Sequence, residues 1–542
     1  MRTLALSALL LAPAAAAPFS VSPTLSSSGV LLANTPSLTS LWGHADPGAS
    51  VAIALGYPGA PAVAPALTGS DGVWRAVLPS LPILSIPFNI SLSSAGSPEI
   101  VLTDMLAGVV LLCSGQSNLQ LSIAMALNAS AEVAALDAFG ATVRVMYTAG
   151  ASSAEPLADL PSAPQLPWQR ISAAGAGRAG WGGFSATCWY TGRELWRALG
   201  AGAVPVGLVE SAVGGTAIRQ WAPVEALARC PQPYNSPKPY GTAPYAHSTL
   251  YNAQIAPFGT GPTRFSAVLW DQAESDSFPQ TPQEYYGCQG PAMVNAWREL
   301  LQASLLPFVF QHLQPYSADY LEVLRQSQLA MLALPATGFG SAMDLGDPSS
   351  PLGAVHFRNK QEGAARLALA IRALWGDAEA AQVYPPPQFL SQATWLANSS
   401  SSSSSSGTPG TAVYTVDVAF FRPGLRGGRG APLPLTLTPP PACPASSNCT
   451  CLSIVTSAGA LIPATNATLT PDGLGLRLVG EGPAGDYPVG SAYAWSFWPL
   501  PVLYGPGGLP VLPWLQSNVS GGVCAGARGG EKCRLTTPAT RP

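Results

Sequence analysis

From about residue 106 to 378, short apolar runs (VVLLC, VPVGLVES, FSAVLWDQ, LPFVFQHL) alternate with amphipathic stretches such as CWYTGRELWRALG and NKQEGAARLALAIRALWG. This alternation constrains the fold more than any other feature of the chain. Continuous apolar strands need cover on both faces, and helices placed between successive strands supply it when those strands run parallel. The expected centre is therefore an α/β layer with a mostly parallel sheet. The flanks read differently. Residues 18–105 alternate β-rich runs with turns, as in LTSLWGHADPGASVAIALGY, and show no helical period. Residues 379–542 open on VYPPPQ nearby and continue as a β-rich segment broken by the serine run Ser399 to Ser406, a loop by composition.

At 542 residues the chain exceeds one ordinary core, and its 47% apolar content ensures that it folds. Only 10% of residues are charged and the net charge is −3. No basic face is left to neutralise a phosphate backbone, which argues against nucleic acid as a partner. Residues 1–17 place Arg2 before an apolar stretch that ends on small residues, the pattern of a cleaved signal peptide. That stretch is far shorter than the roughly 20 residues of a membrane span, and no later run is long enough. Sequons at Asn89, Asn128, Asn398, Asn448, Asn466 and Asn518 agree with a secreted or lysosomal destination. The cysteine count is nine. Cys443, Cys449, Cys451, Cys524 and Cys533 make disulfides expected in the C-terminal part, and zinc is ranked below them because paired spacing and histidine are lacking. Cys113, on an apolar run, reads as a buried small hydrophobe.

In a parallel sheet the reactive groups belong at the carboxyl ends of strands. Three loops qualify there, LLCSGQSN, VESAVGGTAIRQW and LWDQAESD, and VHFRNKQEG stands directly before the last helix. A serine nucleophile needs a base, and only four histidines exist: His44, His247, His312 and His356. Each alone is more often structural than catalytic, but His356 shares its stretch with one of the four loops.

Together SGQSN, ESAVGGTAIRQW, LWDQAESD and DLGDPSSPLGAVHFRNKQEGAARLALAIRAL resemble the sialate O-acetylesterase family of the SGNH hydrolases. LYNAQIAPF, EYYGCQGPAMVNAWREL, WGHADPGASV and YAWSFWPLPVLYGPGGLPVLPW extend the resemblance over nearly the whole mature chain. It implies an SGNH-like three-layer domain at 106–378, between β-rich domains at 18–105 and 379–542. It also implies Ser117 as nucleophile and His356 as base, without metal or organic cofactor. The oxyanion donors would be the N–H groups of Ser117 and of Gly214 or Gly215, with the Gln272 amide as the third. Asp276 stands where the family has asparagine, Ala273 where it has glycine and Phe357 where it has proline. The superfamily's acid position three residues before the histidine is Gly353, so Asp347 is expected to orient His356, ahead of Asp344 or a backbone carbonyl. The implied substrate is an O-acetylated sugar or glycoconjugate, sialic acid first. Acetylxylan or another acetylated polysaccharide, and a non-catalytic glycan binder on the same scaffold, are the alternatives.

Overall fold

The computed structural model describes residues 18–34, 39–148, 150–230, 247–260, 265–277, 285–397, 411–424, 429–430, 433–438 and 451–517. The leader, the serine run, Asn398, Asn448, Asn518, Cys443, Cys449, Cys524 and Cys533 lie outside these residues.

Among the described residues up to 99 there is no helix. Strand Ser50–Leu55 shows why: Val51, Ile53 and Leu55 point inward while Ser50, Ala52 and Ala54 are exposed, the period-two pattern of a strand with one buried face. That face joins the fully buried Trp42 and Trp74 in one apolar cluster.

The sheet that carries the site begins with β1 (Ile100–Gly115), a strand of 16 residues. Its first half pairs with Leu84–Ser94 and Val30–Leu32 of the N-terminal region. Its second half is the middle of the α/β sheet, so the expected boundary near residue 105 falls inside one continuous strand. With β2 (Val143–Tyr147), β3 (Leu166–Arg170), β4 (Val206–Ala212), β5 (Ala267–Asp271), β6 (Phe308–His312) and β7 (Thr337–Ser341), the order is β3-β2-β4-β1-β5-β6-β7. All pairs in this row are parallel except β3 with β2. After β1 the chain lays β2, β3 and β4 on one side, with β4 returning to the place between β2 and β1, and then crosses to the other side through β5, β6 and β7. The carboxyl end of β1 is thus the topological switch point, where such sheets open a crevice.

Two helices cover one face, α1 (Ala186–Ala198) and α3 (Lys360–Leu374); α2 (Tyr286–Leu300) covers the other. The alternation within β5 demonstrates it. Trp270 packs on Trp297 of α2 at 5.6 Å between ring centroids, whereas the next residue, Asp271, reaches Thr187 of α1 at 3.5 Å. Ser185 caps α1 by accepting from the Cys188 N–H, and Asn359 caps α3 by accepting from the Glu362 N–H. Cys113 is not the unpaired hydrophobe expected: it forms a disulfide with Cys188, tying β1 to α1. A second disulfide joins Cys230 to Cys288. The first pairing is invisible along the chain because only packing of α1 on β1 brings Cys113 and Cys188 together.

C-terminal to the sheet, Gln388–Ala397, Thr411–Pro423, Gly475–Pro483 and Asn466–Leu469 form an antiparallel sheet. It packs with a second sheet, Leu461–Pro463, Leu452–Thr456, Pro488–Tyr493 and Trp514–Ser517, through a third apolar cluster. Leu509 and Leu512 turn back into the central core.

Candidate active site

The end of β1 lies hard against β5. A Cβ on Gly115 would sit 2.1 Å from the Asp271 carbonyl oxygen, and its φ is +151°, so glycine is required on both counts. The Gln116 N–H donates to that same carbonyl at 3.0 Å. The chain then makes one helical turn, Ser117–Gln120, with Ser117 first. One turn sums few peptide dipoles, so any support for negative charge here comes from individual N–H groups rather than from a long helix.

Ser117 Oγ and His356 Nε2 are 2.9 Å apart, and His356 Nδ1 is 2.6 Å from the Leu352 carbonyl oxygen. A carbonyl can only accept, so Nδ1 carries the proton and the Nε2 lone pair faces the serine. The histidine sits on successive turns. Ser350 N–H donates to Asp347 O, Gly353 N–H to Ser350 O and His356 N–H to Gly353 O, while Ser350 Oγ donates to the His356 carbonyl at 2.7 Å. Gly353 takes φ +87° within them.

Asp347 does not reach the imidazole. Its carboxylate binds Arg358 through Nε at 2.6 Å and Nη2 at 3.0 Å, and that guanidinium holds it below the usual carboxylate range. Asp344 is likewise paired with Arg366. The carbonyl of Leu352 occupies the place expected of the acid. Sequence carries no trace of this, since every residue has a carbonyl and only the turn decides which one faces Nδ1.

Gln272 is also elsewhere than expected. It is fully buried, and its amide nitrogen lies 3.0 Å from Gln116 Oε1, 3.0 Å from Thr216 O and 2.7 Å from Asp276 Oδ2. With two protons and three acceptors in reach, it has none to offer an oxyanion. Asp276, which also accepts from the Ile218 N–H at 2.9 Å, fastens the glycine loop to β5. Ala273 is held at φ +153°, a conformation suited to glycine. The Gly214 N–H donates to Gln120 Oε1 at 3.0 Å. Among the described residues no acceptor meets the N–H of Ser117 or of Gly215, and Gly215 is exposed at φ +74°.

Beneath the pair lies a set of buried groups that sequence reasoning did not single out. Asn118 donates to Glu274 and, at 2.9 Å, to the Val355 carbonyl, so the residue after the serine is bonded to the residue before the histidine. Gln314 donates to the same two acceptors, at 3.1 and 2.8 Å. Lys360 Nζ donates to Asn118 Oδ1 at 2.8 Å, stands 3.9 Å from Asp271 and lies 3.7 Å above the Phe357 ring. Phe357 thereby forms the floor under a buried cation. The only available signal was the position of Asn118 in the SGQSN stretch and of Lys360 in FRNKQEG. Two of the other histidines do not join the site: His312 is buried on β6 beside Ser341, and His44 contacts Asp159 at 3.3 Å.

Residues 175–371 match the family described as carbohydrate esterase, sialic acid-specific acetylesterase, a span that includes Gly214, Gly215 and His356. The sialate O-acetylesterase of Homo sapiens is 32% identical over 372 residues, covering 64% of this chain and 69% of its own. That of Pongo abelii is likewise 32% identical, over 373 residues with the same coverage. The chain belongs to the sialate O-acetylesterase family. A crystal structure of a carbohydrate acetylesterase from Xanthomonas citri superposes with a TM-score of 0.71 at 25% identity, covering 91% of this chain and 98% of that one. This family's members are carboxylic ester hydrolases, and the serine and histidine brought together here are the groups such chemistry needs.

Proposed function

We propose that this protein hydrolyses O-acetyl groups from sialic acids by way of an acetyl-serine intermediate, with Ser117 as nucleophile and His356 as base. The observation that carries the reading is the 2.9 Å contact from Ser117 Oγ to a His356 Nε2 whose tautomer is set by Leu352. Ser117 Oγ adds to the acetyl carbonyl carbon as its proton passes to Nε2, and the carbonyl π pair moves onto oxygen. The N–H groups of Ser117 and Gly215 take that oxyanion, and Gly214 fixes their loop through Gln120. Collapse breaks the bond to the sugar oxygen, which leaves with the proton from Nε2. Water then adds to the acetyl-serine with Nε2 as base, and a second collapse returns the proton to Oγ and releases acetate. The chain supplies the base and the oxyanion donors, so no step calls for a metal or an organic cofactor.

The human and orangutan relatives support sialic acid as the sugar, and the Xanthomonas citri esterase supports an acetylated carbohydrate more broadly. A secreted or lysosomal setting is supported by the leader-like first residues and by two internal disulfides, which persist in oxidising compartments. Asn89, Asn128 and Asn466 are all exposed, as glycan sites must be. Acetate release from O-acetylated N-acetylneuraminic acid, set against acetylated xylan, tests the substrate. Ser117→Ala and His356→Ala should each reduce it by about 10⁴-fold or more in folded protein. Wild-type rates in folded Ser117→Ala would overturn the mechanism.

A further inference from the structure

The large side chain found against the base is Trp181. Its ring centroid is 5.2 Å from that of His356 with the planes at 62°, yet 39% of the residue is exposed. A tryptophan needed only to brace an imidazole would gain by burying the rest of its surface.

The loop that carries it is fixed at its base and open at its tip. A Cβ on Gly183 would lie 2.0 Å from Arg178 O and 2.8 Å from the Ser122 Cβ, so that end of the loop is packed onto the segment following the nucleophile. The Ile123 N–H donates to Phe184 O, and the Ala186 N–H to Leu121 O, at 3.0 and 2.8 Å. At the tip, Gly180 has φ +78° and a Cβ there would meet nothing within 4 Å. The indole is thus presented to solvent beside the reacting groups from an anchored backbone.

We propose that Trp181 is the platform on which the pyranose ring of the acetylated sugar rests, and so determines preference for sugar esters over small acetates. The inference rests on the esterase reading given above. The leaving oxygen of the sugar must come within hydrogen-bond reach of Nε2 to take its proton, roughly 3 Å. That position places the ring attached to it beside an indole centred 5.2 Å from the imidazole. A pyranose offers C–H groups on one face, which pack on an aromatic surface while its hydroxyls stay in water. Gly214, where a Cβ would lie 3.4 Å from the Ser117 Cβ, and Gly215 after it bring no side chain that could serve instead.

The test compares O-acetylated N-acetylneuraminic acid with ethyl acetate, which has no ring to stack, on wild type, Trp181→Ala and Trp181→Phe. Trp181→Ala should raise KM for the sugar about tenfold or more with kcat changed less than about threefold, because a platform binds ground and transition states alike. The loss in kcat/KM on ethyl acetate should be several-fold smaller, and Trp181→Phe should recover most of the sugar KM. Equal losses on both esters, or a shifted pH profile for kcat, would make Trp181 a brace for His356 and overturn the proposal, as would an unchanged sugar KM. If wild type cleaves ethyl acetate but not the acetylated sialic acid, the substrate reading fails. The same comparison on acetylated xylo-oligosaccharide then decides the platform, and a wild type that cleaves no acetylated pyranose overturns both.

Discussion

Two single residues show how the site departs from a three-membered relay. Nδ1 of His356 is bound to the Leu352 carbonyl while Asp347 holds Arg358. Asp347→Asn should therefore leave kcat within about tenfold of wild type, far from the roughly 10⁴-fold loss expected when an orienting aspartate is replaced. Steady-state rates at saturating sugar ester check this, and a loss of thousands-fold would return Asp347 to the mechanism. Ala273 bears the opposite kind of signature. Its φ of +153° strains any side chain, so Ala273→Gly should stabilise the fold by about 1 kcal/mol, read as a raised urea midpoint at unchanged m.

At the scale of elements, the end of β5 meets the start of α3 through buried charge. Asp271 and Lys360 are both fully buried 3.9 Å apart. Lys360→Met would leave Asp271 and Glu274 without their buried cation and should cost about 3–5 kcal/mol, whereas adding Asp271→Asn should recover part of it. Thermal unfolding of the single and double variants decides the coupling. Burial, opposed by Lys360, pushes the Asp271 carboxyl up to about 7 from its ordinary 3.8. A carboxyl raised in this way binds its proton more tightly in the folded state. Its contribution to stability therefore falls as pH rises from about 4 to about 7. Over that window the wild type should lose stability relative to Asp271→Asn, as urea titrations at successive pH values would show. Burial also lowers the Lys360 ammonium to about 8, so its penalty is present below that pH and lifts as pH climbs toward its ordinary 10.5.

For the molecule as a whole, the three regions are interlocked rather than strung together. β1 belongs to both the N-terminal strands and the catalytic sheet, and Leu509 and Leu512 complete the central core from the far end of the chain. Arg325, fully buried, donates to the carbonyls of Ser496 and Phe497 at 2.8 and 3.1 Å. A chain ending at residue 378 would strip these acceptors from a buried guanidinium and open the core. It should be insoluble or lose its cooperative melt; a soluble product with wild-type melting would refute the interlock. Reduction of the Cys113–Cys188 bridge, which spans 75 residues, should lower stability by about 4 kcal/mol on the chain-entropy scale, read from unfolding with and without reductant.

What the sequence alone determined was local. The parallel sheet followed from apolar runs in alternation with helical ones, and Ser117 and His356 were paired by the resemblance of the short stretches that hold them to those of one family. Tertiary structure decided which groups meet. Leu352 rather than Asp347 faces the imidazole, Gln272 is buried in the network under the nucleophile turn, Cys113 finds Cys188, and Asn118 bonds Val355 across more than two hundred residues. Periodicity and turn chemistry act between residues close in the chain and are written there. A hydrogen-bond partner is instead chosen by the packing of distant elements, and a backbone carbonyl leaves no mark in the side-chain code at all.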